Sequence, residues 1–564
     1  MHQYHPIRDF YRTAVEQYAA MQSAIGPLRL SKTDLLGLVL RKTWHDFTLL
    51  LSDLRDGGWR SVPLITPLLG AVLVLVIITT RPKTAPPSPR QLGIPVLKVP
   101  KGLHRWDYQR LLQEGARQHP GAPYVITYSG YEYVVFPSSC FDEVKRLPVA
   151  AASMVEWYTH VFFQGWRFLG TDKSAVHKTI GLDLTRAVPS LAAARRAHAE
   201  AAFAAVLGSL GTGTDWHAFP LYSTAQEVVA RTNAASLLGP ELAADRRWLN
   251  ASQRFPMAVM VAVFVCHAVP RLLRPVVSLL AFVPAWGLYW YMRMLLRPTV
   301  ERDLRAQRGE VEGDTGPDQK PPASKFPVTS WLTARYQGES GGKEQGDGAL
   351  LMSQMLHDYV VIAFESTAST AATIYFILAE LVSRPELVQE LRDEITQAAD
   401  LDGLRKLDSV MRESSRVNIF NYLTLFRRLQ QPVQLSLGPT LPRGSLICVD
   451  AQHITASAAL WGDAPEQFDG LRFFRLRQQP GHEALHQFTS LGSDAPGWGG
   501  GAQACPGRVF AANTIKTVLA HLLMHYDIAL PPGDGKPKRN SMPNGTMAPD
   551  MNARIMLRKR GGGS

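Results

Sequence analysis

Cysteine is scarce: four in 564 residues, Cys140, Cys266, Cys448 and Cys505, far apart and never in a Cys-x-x-Cys pair. That excludes a disulfide framework and the common structural zinc sites. The chain also lacks a Walker-type phosphate loop, a Gly-x-Ser-x-Gly elbow and a His-Glu-x-x-His helix, which removes several nucleotide-, ester- and peptide-cleaving classes. Acidic residues are outnumbered, 48 against 60 Lys plus Arg, for a net charge of +12. Spread over such a length, the excess suits a protein-docking face or an anionic lipid surface, and no nucleic-acid partner is expected. Charged residues are only 19% and apolar residues 46%, which excludes a disordered chain, while a mean hydropathy of -0.07 excludes a polytopic membrane protein.

One long uncharged run is present. Val62–Thr80 has 19 residues, and as a helix it reaches roughly 28 Å, close to the hydrocarbon thickness of a bilayer. Arg81, Lys83 and Arg90 follow it, so the positive-inside tendency places the downstream mass in the cytosol. The expected organisation is an N-terminal extension of unknown role over 1–61, an anchor over 62–80, a proline-rich hinge over 81–100, a catalytic domain over 101–556, and a basic tail with a terminal Gly-Gly-Gly-Ser over 557–564. A second apolar region, Phe255–Leu296, is broken by Pro270, Pro275 and Pro284 and reads as core helices or as a hairpin dipping into lipid. Arg308–Asp347 reads as a surface loop with one short helix near Ser330–Tyr336. Most of the rest has helical spacing, with short strand-like runs at Tyr131–Phe136 and Val433–Leu437.

The sharpest local signal is Trp498–Arg508, WGGGAQACPGR, ahead of a helix over Val509–Tyr526 expected to be amphipathic. A cysteine just before a helix sits where backbone N–H groups favour a thiolate. Glycines at 499, 500, 501 and 507 let the backbone pass close to a flat partner. The other three cysteines read as buried and inert. Upstream, Glu413 and Arg416 are three apart and share a helix face. On a surface such a pair contributes under about 1 kcal/mol. Ala349–Ser383 is a long apolar helical pattern interrupted by Glu365, Ser366 and Thr367, whose hydroxyls can bond back to a helix carbonyl.

These segments together resemble the cytochrome P450 family, in its filamentous-fungal members that decorate natural products. Trp498, Gly501, Cys505 and Gly507 match the family's aromatic-x-x-Gly-x-x-x-Cys-x-Gly loop, Glu413-Ser-Ser-Arg416 its Glu-x-x-Arg, and Phe468-Asp-Gly-Leu-Arg-Phe473 its arginine-bearing segment. The resemblance implies a mainly α cytochrome P450 fold, a large helical domain with a small β-rich part, preceded by a single transmembrane helix. It makes Cys505 the axial ligand of the iron of haem b. It sets Arg427 on a haem propionate, and makes Glu413, Arg416 and Arg472 a network that fixes the cysteine loop. Trp498, Gly501 and Gly507 shape the cofactor cradle. Glu365 and Ser366, with Thr367 beside them, become the proton relay to iron-bound oxygen.

The sequence departs from the family in places. Trp498 stands for Phe and Ser366 for Thr, Phe364 occupies an often small position, and Ala502 and Gln503 stand where many relatives carry basic residues. Val360, Ile362, Ala363 and Phe364, with Ile419–Leu425, are the expected substrate wall. The implied activity is monooxygenation of an apolar terpenoid, indole-diterpenoid or polyketide intermediate. It would use O₂ and electrons from NADPH-cytochrome P450 reductase, at the endoplasmic reticulum membrane with the catalytic domain cytosolic. A haem-thiolate isomerase or dehydratase, and a non-catalytic membrane scaffold, are the alternatives.

Overall fold

The computed structural model describes residues 89–103, 107–128, 130–163, 174–208, 215–270, 273–307, 327–339, 348–541 and 546–561. The expected leader and anchor, 1–61 and Val62–Thr80, lie outside the described residues. Residues 86–261 with 282–564 form the main body, and residues 262–281 belong to a second unit. In that unit Cys266 is buried and helix Arg274–Ala281 begins with Arg274 Nε donating to Val269 O at 3.3 Å.

Aromatic and β-branched residues make the first hairpin, β1 (Tyr124–Tyr128) and β2 (Tyr131–Phe136). Its turn includes Gly130 at φ +79°, backbone that glycine adopts without penalty. With β3 (Ala152–Ser153), β5 (Leu423–Leu429) and β6 (Leu446–Asp450) the hairpin forms a sheet in the order β1-β2-β6-β5-β3, parallel only between β2 and β6. β4 (His217–Pro220), β10 (Arg554–Lys559) and β7 (Tyr526–Ala529) form a second sheet, and β8 (Arg539–Ser541) pairs with β9 (Met547–Pro549).

The helical mass comprises α1 (Tyr108–Gln118), α2 (Met154–Val161), α3 (Thr185–Leu207), α4 (Leu221–Leu237), α5 (Arg246–Ala268), α6 (Val283–Gln307), α7 (Pro327–Glu339), α8 (Gly348–Leu381), α9 (Pro385–Gln397), α10 (Arg405–Val417) and α11 (Arg508–His525), with shorter turns between them. α8, roughly 50 Å long, supplies Ile374, Tyr375 and Ile377 to a core to which α3, α4, α10 and α11 add Phe203, Val228, Met411 and Leu519.

Four sequence expectations change. α11 is not amphipathic: Ala512–Leu519 are all buried, so the helix is covered on every side and its Lys516 needs a carboxylate, Asp408 at 2.9 Å. Val433–Leu437 is not a strand; Val433 and Leu441 pair as one isolated bridge. The hinge does not extend to residue 100, because Ile94 and Leu97 are buried and Leu97 N donates to Val125 O, so the body has begun by residue 89. Nor is 557–564 wholly a tail: Leu557–Lys559 lie in β10 and pair with β7.

The helix expected near Ser330 is α7, and the long helix over Ala349–Ser383 is α8. Of Phe255–Leu296, the described residues up to Ala268, Arg274–Ala281 and those from Val283 onward are helical, and α6 leaves Val283, Trp290 and Met294 largely exposed.

Candidate active site

The loop before α11 is held from several directions. Trp498 donates its indole N–H to Phe488 O at 2.7 Å, and Cys505 N donates to Trp498 O at 2.9 Å. Gln503 reaches across to the start of α2: its Nε2 donates to Ala152 O at 2.9 Å while its Oε1 accepts from Met154 N at 2.7 Å. Thr424 of β5 donates to Pro496 O at 3.1 Å.

Gly501 has φ +65°, and a Cβ there would lie 2.0 Å from the Lys145 carbonyl oxygen. The backbone of the segment at Lys145 by itself demands this glycine. Gly501→Ala is expected to cost about 3 kcal/mol, combining left-handed strain with overpacking, and thermal unfolding checks it. A Cβ on Gly507 would make only an ordinary contact, 3.7 Å from Ile180 Cγ2; that residue contributes its N–H, which bonds the Cys505 sulfur. Burial nevertheless pushes the Cys505 thiol up to about 11. Uncoordinated, it is a thiol, and a metal cation is what converts such a group to thiolate. Cys140, Cys266 and Cys448 are buried, and burial raises each of them.

Glu365 on α8 keeps accessible surface, yet it is desolvated enough that burial pushes its carboxyl up to about 7, so that surface opens inward. Its charge is felt by Cys505 and by the Tyr158 hydroxyl of α2, which burial first and then Glu365 and Cys505 push upward. The three groups thus face one interior from three elements. Thr367 Oγ1 and Ser366 Oγ both donate to Ala363 O, at 3.2 and 3.5 Å, so these hydroxyls are turned into their own helix.

Arg427 follows a bulge in β5, where the register shifts between Thr424 and Arg427 and Leu425 takes φ +50°. The side chain is buried, donates Nη1 to Phe426 O at 2.8 Å, and leaves Nε and Nη2 without partners. Burial alone draws its pKa down to about 10. A buried guanidinium with two free donors needs an anion. Haem brings carboxylates at its edge and a thiolate-seeking iron at its centre, so Arg427 and Cys505 together fit it.

The Glu413 triad forms. Arg416 grips Glu413 with two bonds of 2.7 Å, and Arg472 Nε reaches the same carboxylate at 3.2 Å. Its remaining bonds run to the carbonyls of Ile454, Trp461, Pro465 and Gln467 and to the Asp469 N–H, so it secures that segment. The approach to the cysteine loop is tied by two residues one turn earlier on α10. Asp408 accepts from Phe488 N at 2.9 Å, and Arg412 pairs with Asp494 at 2.6 Å. Sequence reasoning missed both, as well as Gln503 and Tyr158; Asp408 and Arg412, one helical turn apart and just ahead of Glu413, were the only visible hint.

The expected substrate wall needs correction. Val360 is fully buried and, five residues from Glu365, lies about 140° round the helix from it. It is packing, because a side chain with no free surface cannot touch a ligand. Ile419, Tyr422, Leu423 and Leu425 are likewise buried in the cores around the first sheet. Ile362 and Ala363 keep a little surface, and half-buried Phe364 meets Phe255 edge-on at 5.5 Å.

The family model for cytochrome P450 matches residues 323–556. The whole sequence is similar to curated fungal proteins. It is 36% identical over 558 residues to the cytochrome P450 monooxygenase CYP1 of Pyricularia oryzae, covering 97% of each chain. It is 37% identical over 555 residues to the cytochrome P450 monooxygenase ffsD of Aspergillus flavipes, covering 97% of this chain and 99% of the relative. Against the pyrichalasin C-18 hydroxylase of Pyricularia grisea the identity is 33% over 558 residues, covering 97% and 99%.

Proposed function

Since this chain belongs to the cytochrome P450 family and is a haem-thiolate monooxygenase, we propose that it oxidises an apolar natural-product intermediate of terpenoid, indole-diterpenoid or polyketide type, with Cys505 as the iron ligand. The observation that carries this is the half-buried Cys505 sulfur, bonded by the Gly507 N–H and facing the same interior as Glu365.

Bound haem supplies the activation of O₂ through which one oxygen atom enters the substrate and the other leaves as water. The chain's residues do the rest. Cys505 supplies the sulfur, and Arg427 meets a haem carboxylate with its free Nε and Nη2. Glu365, whose carboxyl is pushed up to about 7 by burial, holds a proton on its Oε and gives it up on the Cys505 side of α8. Ser366 and Thr367 pass that proton on only after releasing Ala363 O. Trp498, Gln503 and the bulge at Leu425 keep the loop and Arg427 in register.

The name of one relative supports a large substrate: a hydroxylase acting at C-18 of pyrichalasin works on a skeleton with at least that many numbered positions. The Val62–Thr80 run supports a single-pass anchor in the endoplasmic reticulum with the catalytic domain cytosolic, and exposed Val283, Trp290 and Met294 on α6 support a second lipid contact. Electrons come from an NADPH-cytochrome P450 reductase, for which the excess of basic residues provides a docking charge.

The test is to express the full chain with that reductase in a fungal host making the precursor, under ¹⁸O₂. The expected product carries one labelled oxygen more than its precursor. An unlabelled product of unchanged composition supports instead the isomerase reading, and one lighter by a water the dehydratase reading, both of which the inward-turned hydroxyls of Ser366 and Thr367 favour. Glu365→Gln keeps the shape but cannot titrate, and is expected to lower product formation by roughly 100-fold at unchanged haem content. Undiminished turnover would remove Glu365 from the proton path.

A further inference from the structure

Beneath the proposed site lies a buried cation with no partner of opposite charge. Arg195 of α3 is wholly buried, and no carboxylate among the described residues pairs with it. Its Nε donates to Asn513 Oδ1 at 2.6 Å and its Nη2 to Thr514 Oγ1 at 2.5 Å, both on α11. The guanidinium lies 4.0 Å over the Phe510 ring, and its Nη1 has no partner. Burying an arginine this way is costly and has to be offset by what its donors hold.

The bonds continue in one direction. Thr514, accepting from Arg195, donates its own proton to Asn233 Oδ1 of α4 at 2.9 Å, with Phe510 O at 3.0 Å as the alternative acceptor. Asn233 Nδ2 then donates to the carbonyl oxygen of Ser366 on α8 at 2.9 Å. Every donor after the arginine is polarised by the one before it, and such chains reinforce one another in a low-dielectric interior. The chain starts at Arg195 on α3, passes through Thr514 on the helix that follows Cys505, and ends between Glu365 and Thr367.

We propose that Arg195, Thr514 and Asn233 act as one positioning relay that locks the Ser366 segment of α8 to the Cys505 helix, setting the spacing between thiolate ligand and proton path. This rests on the reading of Glu365 and Cys505 given above. The Ser366 carbonyl is the fixed point: its neighbour Ala363 O is taken by two side-chain hydroxyls, so the segment is loosened from within and held from outside.

The experiment is amide hydrogen exchange on the full-length protein, following peptides over 360–372 in α8 and over 385–397 in α9 as a control. Asn233→Leu removes the bond to Ser366 and is expected to raise exchange in 360–372 roughly tenfold, the scale of one lost buried hydrogen bond, with the control unchanged. Arg195→Met, whose side-chain hydrogen bonds run to α11, is expected to raise exchange in the same peptide. The double variant is expected to go no further than the larger single effect, because the two act through one path. If Arg195→Met does not fold, Thr514→Val cuts the relay in the middle and carries the same expectations.

The proposal is overturned if Arg195→Met or Thr514→Val leaves 360–372 as protected as in the parent, or if the effects of Arg195 and Asn233 simply add. Haem binding is read separately from the absorbance of the same samples. A parent protein without haem would defeat the functional reading while the exchange result would still decide the relay.

Discussion

Glu413→Ala is expected to leave little folded protein. The Glu413 side chain is fully buried; it takes both nitrogens of the Arg416 fork, the Arg472 Nε and the Asp469 N–H. Removing it strands the Arg416 guanidinium, also buried, with only carbonyls around it. Breaking a buried pair from one side costs about 3–5 kcal/mol, against a total stability of about 5–15 kcal/mol for a typical domain. Thermal unfolding and soluble yield measure it. Glu413→Gln keeps an acceptor oxygen and should lose less, and Arg472→Ala less again because that side chain is partly exposed. A melting temperature for Glu413→Ala within a degree or two of the parent would show that the triad is not what secures residues 454–472.

Cys505→Ala should do the reverse, sparing the fold and abolishing the chemistry. The loop conformation depends on the Cys505 backbone N–H to Trp498 O, the Trp498 indole and the two bonds of Gln503, none of which involves the sulfur. Truncating one small, half-buried thiol costs about 1 kcal/mol. The oxygenated product, by contrast, should fall below detection, because no other cysteine can substitute: Cys140, Cys266 and Cys448 are packed in cores elsewhere. Unfolding curves and product analysis on the same preparation separate the two effects. Retained oxygenation in Cys505→Ala would mean that another group holds the iron.

Much of this was legible from the sequence where the determinants are close in the chain. The cysteine loop, the Glu413–Arg416 pair and the interrupted α8 are short patterns whose residue types carry their own physics, and β2 was outlined by its aromatic and β-branched run. Residues whose meaning depends on a distant partner were not legible. Nothing near Arg195 announces Asn513, more than 300 positions away, and Gln503 gave no sign of reaching Met154.

Apolar composition also cannot separate a pocket wall from packing, which is why Val360 and most of Ile419–Leu425 turned out to be core. α11 misled for a related reason: polar residues at Asn513, Thr514, Lys516 and Thr517 look like a wet face, but each has a buried partner. The domain edges moved because proline at 95 and cations at 558 and 559 are compatible with pairing to β1 and β7 as well as with a linker or tail.

The most direct measurement of the central claim is the absorbance of the purified full-length protein after reduction and exposure to carbon monoxide. A thiolate on the iron gives a strongly red-shifted Soret band, and the band should vanish in Cys505→Ala while the unfolding temperature holds. A colourless protein after haemin is supplied, or the same red-shifted band in both proteins, would contradict the assignment of Cys505.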